Sequence, residues 1–147
     1  MLKANSYKME NYKKSVNAIL VNSKKQILLH LRDDKPGILA PGCWAFIGGG
    51  VEEGESGPDA IKREVKEEIN YLINDFQYLD KIYFRKYKMD VLVYIGKLDA
   101  REDEIKLTEG QGVRFFYPDE IKKLKMSNLL KKIIFRNLEK IIFAANN

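Results

Sequence analysis

Short apolar runs separated by polar breaks fill the first third of the chain. SVNAILVNS at residues 15–23 is rich in β-branched and apolar side chains and predicts a strand. Two lysines follow as a turn, and QILLHLR at 26–32 predicts a second strand, so the two form a hairpin. DDKPGILAPG at 33–42 holds two prolines and two glycines and reads as a loop. CWAFIG at 43–48 predicts one short buried strand. The period then changes from two to nearly four. Ile61, Val65 and Ile69 form one apolar stripe, which predicts a helix over 59–69. Ser56 is a good N-cap, and Asp59 three residues later completes an acidic capping box. Pro58 falls in the first turn, where its missing N–H does no harm. Asn70 ends the helix in the left-handed conformation.

Farther along, FQYLDKIYFRKY (76–87) and MDVLVYIGKLD (89–99) predict two strands joined tightly near Lys88. AREDEIKLTEGQG (100–112) is a polar loop, and VRFFY (113–117) a short strand. PDEIKKL (118–124) opens with proline and acids, a helix start. A longer last helix, over about 127–143, presents Leu130, Ile133, Ile134, Leu138, Ile141 and Ile142. The order is strands, helix, strands, helices, without regular alternation. It predicts an α+β fold with a mixed sheet packed by helices.

Composition narrows this picture. The chain has 147 residues, 45% of them apolar, which suits one domain over 1–147 with a real core. Residues 1–13 are polar and read as a loose N-terminal arm. Cys43 is the one cysteine, so no internal disulfide forms, which fits a reducing compartment. His30 is the one histidine, which excludes zinc sites that need two. It sits in an apolar run and is expected to pack or to lie at an edge. No apolar run approaches the ~20 residues of a membrane span, and no signal-peptide segment is visible. A cytoplasmic protein without membrane contact is expected. The net charge of +5 comes mostly from 20 lysines, scattered along the chain, whereas arginine is scarce. A solvated surface explains them, and a nucleic-acid partner is not expected; the best candidate for a basic face is residues 121–140.

One stretch breaks with the basic balance. GGGVEEGESGPDAIKREVKEEIN, residues 48–70, holds seven carboxylates and three cations. On a helix, Glu64, Glu67 and Glu68 share a patch, and like charges one turn apart repel by a few tenths of a kcal/mol. Lys66 points away, and Arg63 is the cation near enough to pair. A bound divalent cation removes the conflict. Oxygen-only donors favour Mg²⁺, Mn²⁺ or Ca²⁺, and the calcium EF-hand spacing is absent. Magnesium held by few carboxylates usually shares substrate phosphates. Gly48, Gly49, Gly50 and Gly54 let the backbone turn sharply and approach a ligand closely. The loop is no P-loop, because Gly-Lys-Ser/Thr is missing.

With Gly49, Glu55 six residues on, and Arg63-Glu64-Val65-Lys66-Glu67-Glu68 in register, the stretch resembles the Nudix box over residues 49–71. Two departures fall at its end. Asn70 stands where the box has its last glycine, at an expected cost of about 1 kcal/mol, and Tyr71 is an acceptable apolar body at the closing hydrophobic position. Outside the box, Ile47-Gly48-Gly49 replaces the usual Pro-Gly-Gly. LHLRDDKPGILAPGCWAF before the box and LTEGQGVRFFYPDEI after it resemble the flanks of many Nudix hydrolases, so the likeness covers about residues 15–125.

The resemblance implies an α/β/α sandwich and a metal-dependent pyrophosphohydrolase that cleaves a nucleoside diphosphate linked to another group. It implies Glu64, Glu67 and Glu68 as ligands of Mg²⁺ or Mn²⁺, with the Gly48 carbonyl beside them. Glu55 and Gly49 support the site, and Arg63 holds a carboxylate in place. The general base is a box glutamate, Glu64, or a later loop acid, for which Glu109 is the candidate because Gly110 and Gly112 allow it to be projected. Trp44, Phe46 and Tyr83 either stack a base or belong to the core. Arg32 and Asp33 either meet a sugar or phosphate or are solvated loop charges. The alternative is a catalytically inactive Nudix-fold module that binds a nucleotide or RNA. Small nucleotides are the expected partners; the apolar last helix either packs internally or joins a homodimer.

Overall fold

The computed structural model describes residues 14–147. The expected N-terminal arm lies outside the described residues. Among these, seven strands form one sheet: β1 (Lys14–Val21), β2 (Ile27–Leu31), β3 (Trp44–Ala45), β4 (Ile47–Gly50), β5 (Gln77–Phe84), β6 (Met89–Lys97) and β7 (Gly112–Phe116). The main path runs β3-β2-β1-β6-β5, with β4 paired to β1 and β7 to β2. β1 and β6 are parallel and the other pairs antiparallel, so the sheet is mixed.

Alternation along β1 builds the layers. Val16, Ala18 and Leu20 face one way and pack with Ile61, Val65 and Ile69 of helix α1 (Gly57–Ile69). Ile19 and Val21 face the other way, toward Leu130, Ile133 and Ile134 of α3 (Asn128–Arg136) and Ile141 of α4 (Leu138–Asn146). A strand buried on both faces reads as an unbroken apolar run, which is why residues 18–21 do. A short α2 (Pro118–Ile121) precedes α3. The result is the expected sandwich of helices, mixed sheet and helices. Among the described residues no helix is long and apolar enough to cross a membrane.

Three local expectations need correction. The single strand over 43–48 is two: β3 pairs with β2, and β4 pairs with β1. Phe46 lies between them, buried in the core on the α3–α4 side. The long last helix is broken at Asn137 and runs on to Asn146. The buried Asn137 amide donates to the Ile133 carbonyl (2.9 Å), beside the Asn137 N–H (3.2 Å), and to Asp80 Oδ2 on β5 (2.9 Å), so a side chain competes with backbone bonding at the break. At α1, Ser56 Oγ accepts from the Asp59 N–H at 3.1 Å, but among the described residues the Asp59 carboxylate makes no return bond. Aspartate is one methylene shorter than the glutamate of a full box.

Candidate active site

The start of α1 lies over β4, and the backbone is tightest there. A Cβ on Gly48 would run into the Val16 carbonyl and the Asn17 side chain of β1. A Cβ on Gly49 would come within 2.5 Å of the Glu64 carboxylate. Glycine at these two positions lets helix and strand approach until Glu64 rests on the β4 backbone. Ser15 of β1 donates its hydroxyl to the Gly49 carbonyl at 2.7 Å. At the other end of the helix, Asn70 adopts φ 60° and ψ 36°, the left-handed cap expected of it, and its N–H reaches the Lys66 carbonyl at 3.0 Å. Lys66 turns its ammonium to Asn70 Oδ1 at 2.7 Å, away from the acids.

Arg63 organises the acids. Its Nε donates to Glu55 Oε2 (2.7 Å) and one terminal nitrogen to Glu55 Oε1 (2.9 Å), a two-pronged grip. The same terminal nitrogen reaches the Gly50 carbonyl at 2.9 Å. The other terminal nitrogen donates to Glu64 Oε2 (2.9 Å) and Glu67 Oε1 (3.3 Å). The hydrogen bond from Arg63 holds the Glu55 carboxyl below the ordinary carboxylate range, against the opposing effect of burial. That bond and the Glu64 charge push the Arg63 guanidinium further up from its already high ordinary value, against the effect of burial. Glu64 and Glu68 are buried, whereas the Glu67 side chain is 42% exposed at the rim.

The 108–112 segment closes on this corner. The Gln111 N–H donates to the Leu31 carbonyl (2.8 Å) and its side chain to the Arg32 carbonyl (2.8 Å), while the Thr108 N–H reaches the Glu68 carbonyl (3.2 Å). Gly110, next to Glu109, takes φ +98°, a conformation open to glycine. Gly112, also expected to help, is instead the first residue of β7. Glu109 thereby lines one narrow cleft with Glu68, Gly48, His30, Arg32 and Asp33.

A second cavity, about 170 Å³, adjoins the cleft through Gly48 and Arg32. Phe46, Leu39, Phe84, Tyr87 and Leu130 supply its apolar wall. It is smaller than the ~300–1,000 Å³ of sites that enclose a drug-sized ligand and suits a single ring system. Arg32 borders both spaces, its Nε fixed on the Leu39 carbonyl at 2.7 Å. Trp44 does not line this cavity; it meets Phe116 edge-on, with ring centroids 4.8 Å apart. Tyr83 is exposed on β5 and does not line it either.

The fold thus brings Arg63, Glu55, Glu64, Glu67, Glu68, Gly48, Gly49, Glu109, Arg32 and Phe46 to one region and leaves Trp44 outside. Sequence reasoning missed His30, Ser15 and Asn17. His30 reaches the cleft because β2 pairs with both β3 and β7, a neighbourhood no local pattern encodes.

The donor chemistry of carboxylates beside glycine backbone fits a hard divalent cation. Among the described residues no three His, Cys, Asp or Glu side chains form a finished metal cage. Glu64 and Glu67 are engaged by Arg63, so a cation would compete with the guanidinium for their oxygens.

A model of the NUDIX domain matches residues 11–137. Over 62 residues the chain is 40% identical to the dihydroneopterin triphosphate diphosphatase of Escherichia coli strain K12, covering 40% of this chain and 37% of that protein. Over 61 residues it is 38% identical to the RNA pyrophosphohydrolase of Gluconacetobacter diazotrophicus, covering 40% of this chain and 36% of that one. The matched stretches thus span just over a third of these relatives. The fold agrees with the crystal structure of the MutT protein from Methanosarcina mazei Go1 at a TM-score of 0.73 and 21% identity, over 88% of this chain and 94% of that one.

Proposed function

Because the chain belongs to the NUDIX domain family, we propose that it is a single-domain, metal-dependent hydrolase of phosphoric anhydride bonds. Its substrate on this reading is a nucleoside diphosphate joined to a further group. The names of the two relatives, a triphosphate diphosphatase and a pyrophosphohydrolase, support that bond type. The observation that carries the reading is the Arg63 grip on Glu55 and Glu64, with Glu68 and Glu109 lining one cleft beside Gly48.

Glu64, Glu67, Glu68 and the Gly48 carbonyl would hold Mg²⁺ or Mn²⁺. When bound, such an ion neutralises diphosphate oxygens and lowers the pKa of a water. The chain's own residues do the rest. Arg63 and Glu55 fix the Glu64 carboxylate, so it need not reorganise as charge develops. Phe46 and the cavity wall seat the base, and Arg32 orients the sugar or phosphate between cavity and cleft. Water attacks one phosphorus in line, the anhydride P–O bond breaks, and a phosphate leaves. Of the two base candidates, Glu64 is assigned to the metal and Glu109 lines the cleft beside Glu68 and Gly48, so Glu109 takes the proton of the attacking water. A reducing cytoplasmic setting completes the reading, and a homodimer would use the exposed Leu129 and Phe143, since Leu130, Ile133, Ile134 and Ile141 pack into the core.

The test is a panel of nucleotide conjugates incubated with Mg²⁺, with phosphate species read by mass spectrometry. A nucleoside monophosphate, or pyrophosphate from a triphosphate, is the expected product. Full turnover by Glu67→Gln would defeat the reading.

A further inference from the structure

From Val16 to Val21, β1 is apolar except at Asn17. Val16 and Ala18 on either side of it are fully buried. The Cα partners of Asn17 are Gly48 of β4 and Val93 of β6, so paired strands hold its backbone from both sides. Its side chain lines the 170 Å³ cavity together with Phe46, Gly48 and Tyr87. A Cβ on Gly48 would run into Asn17 Oδ1, so the bare glycine makes the room in which the amide lies.

A polar group set into an apolar wall costs free energy until it finds a partner. Two other polar side chains of this cavity have theirs within the protein. Ser15 gives its hydroxyl to the Gly49 carbonyl at 2.7 Å, and Arg32 gives its Nε to the Leu39 carbonyl at 2.7 Å. Among the described residues the Asn17 amide has no hydrogen-bond partner, and it is half-buried at the cavity. It offers an acceptor, Oδ1, beside a donor, Nδ2, and carries no charge. A phosphate calls for cations or backbone N–H groups. An uncharged amide between apolar walls complements a flat, uncharged ring that presents a donor next to an acceptor.

We propose that Asn17 is a specificity-determining residue, whose amide reads the hydrogen-bonding edge of the substrate's ring. The proposal rests on the anhydride-hydrolase reading for what the ring is attached to. Its position on the central strand suits the role, because a reader on a rigid element discriminates better than one on a loop. Asn17→Leu keeps a similar volume and removes both hydrogen-bonding groups. Asn17→Asp replaces the donor with a second acceptor, which favours a ring with two neighbouring donors, such as the N1–H and N2 amino groups of guanine.

The test compares nucleoside triphosphates of adenine, guanine, cytosine and uracil with ribose 5-triphosphate, which has no base, on the full chain with Mg²⁺. For the base that wild type prefers, Asn17→Leu should lower kcat/KM by about tenfold to a hundredfold, chiefly through KM. For the baseless compound it should stay within about twofold. Asn17→Asp should raise the ratio of guanine to adenine turnover by about tenfold. A second readout needs neither metal nor turnover. In EDTA, the side-chain amide resonances of Asn17, assigned by their absence from Asn17→Leu, should shift with the nucleoside monophosphate of the preferred base and not with ribose 5-phosphate. This measurement uses the wild-type chain and serves if the variants do not fold. Equal losses on the base-bearing and baseless compounds overturn the proposal, because a merely structural role acts on both alike. Unchanged base selectivity in both variants overturns it too, as do amide resonances that ignore every base. Hydrolysis with such an outcome sinks only the role of Asn17, whereas a base-dependent amide shift without any hydrolysis sinks only the enzyme.

Discussion

Arg63 holds Glu55 by two parallel hydrogen bonds, at 2.7 Å and 2.9 Å, and with its remaining nitrogen holds Glu64 at 2.9 Å. One guanidinium thus sets the geometry of a supporting acid and of a proposed metal ligand at once. Lysine keeps the charge but offers no planar fork. Arg63→Lys should lower stability by about 1–3 kcal/mol, since Glu55 and Glu64 lose partners where water reaches them poorly. It should also weaken the apparent Mg²⁺ affinity by about 10–100-fold. Thermal melts and Mg²⁺ titration check the two effects separately. A lysine variant with the wild-type Mg²⁺ response would show that the guanidinium plays no part in ordering Glu64.

Much of this corner is legible in the amino-acid sequence. Ser56, Pro58, the stripe of Ile61, Val65 and Ile69, and Asn70 are local signals, and each acts within one or two turns of its own position. The break at Asn137 is not local. Its cause includes Asp80, 57 residues away on another element, so an apolar stripe through 127–143 reads as one helix. Phe46 is hidden for the same reason, because which strand each side of it joins depends on partners far along the chain. His30 offers no signal beyond being alone. Its place beside Glu68 and Glu109 exists only after β7 pairs with β2.

Acid should release the Arg63 grip. The Glu55 carboxyl is held below its ordinary value of 4.5, chiefly by the Arg63 hydrogen bond. A depressed carboxylate contributes stability that is present in full above the unfolded value. That contribution is lost as pH falls below about 4.5 through the folded value. Glu55→Gln should therefore be less stable than wild type at neutral pH, and the gap should narrow as pH drops. Urea unfolding of both chains between neutral pH and about pH 3 checks this. A gap that stays constant would mean that the Glu55 charge does not contribute through Arg63.

Glycines near the site should divide by what surrounds them. Gly48→Ala meets the backbone carbonyl of Val16, which cannot move without disturbing β1, and should destabilise by about 1–3 kcal/mol or more. Gly49→Ala meets the end of the Glu64 side chain, which can swing aside. It should fold with a smaller cost but lose most activity, because Glu64 is displaced. Gly54 has open space around it and φ +80°, so Gly54→Ala should cost about 1 kcal/mol from strain and leave kcat unchanged. Melting temperature and kcat measured on all three variants test the order. Full activity in Gly49→Ala would place the working position of Glu64 away from β4.

Asn137→Ala should loosen the joint between α3 and α4. The amide bridges the Ile133 carbonyl and Asp80, and Asp80 also takes Arg136 at 2.9 Å. Removing it takes one of several donors from each, since the Asn137 N–H still reaches the Ile133 carbonyl, and Arg136 and the Lys81 N–H still reach Asp80, a loss of about 1 kcal/mol. The acids come from α1 on the other face of the sheet, and Leu130, the α3 residue on the cavity wall, is seven residues before Asn137, so kcat should stay within about twofold as long as α3 keeps its place. Chemical denaturation with a parallel activity assay checks both.

Asn70→Gly asks whether the one substituted position of the box matters. Asn70 already sits at φ 60°, where glycine is unstrained, so the change removes local strain. It also removes the 2.7 Å bond from Lys66 and adds freedom to the unfolded chain. These effects oppose each other, and stability should shift by less than about 1 kcal/mol. Neither touches Glu68, whose buried position comes from the preceding turn packing on the sheet. Turnover should match wild type. Asn70→Ala keeps the strain and loses the bond, so it should be less stable than either by about 1 kcal/mol. Urea midpoints for the three chains decide: alanine level with glycine would mean that the left-handed cap is not what holds this end of the helix.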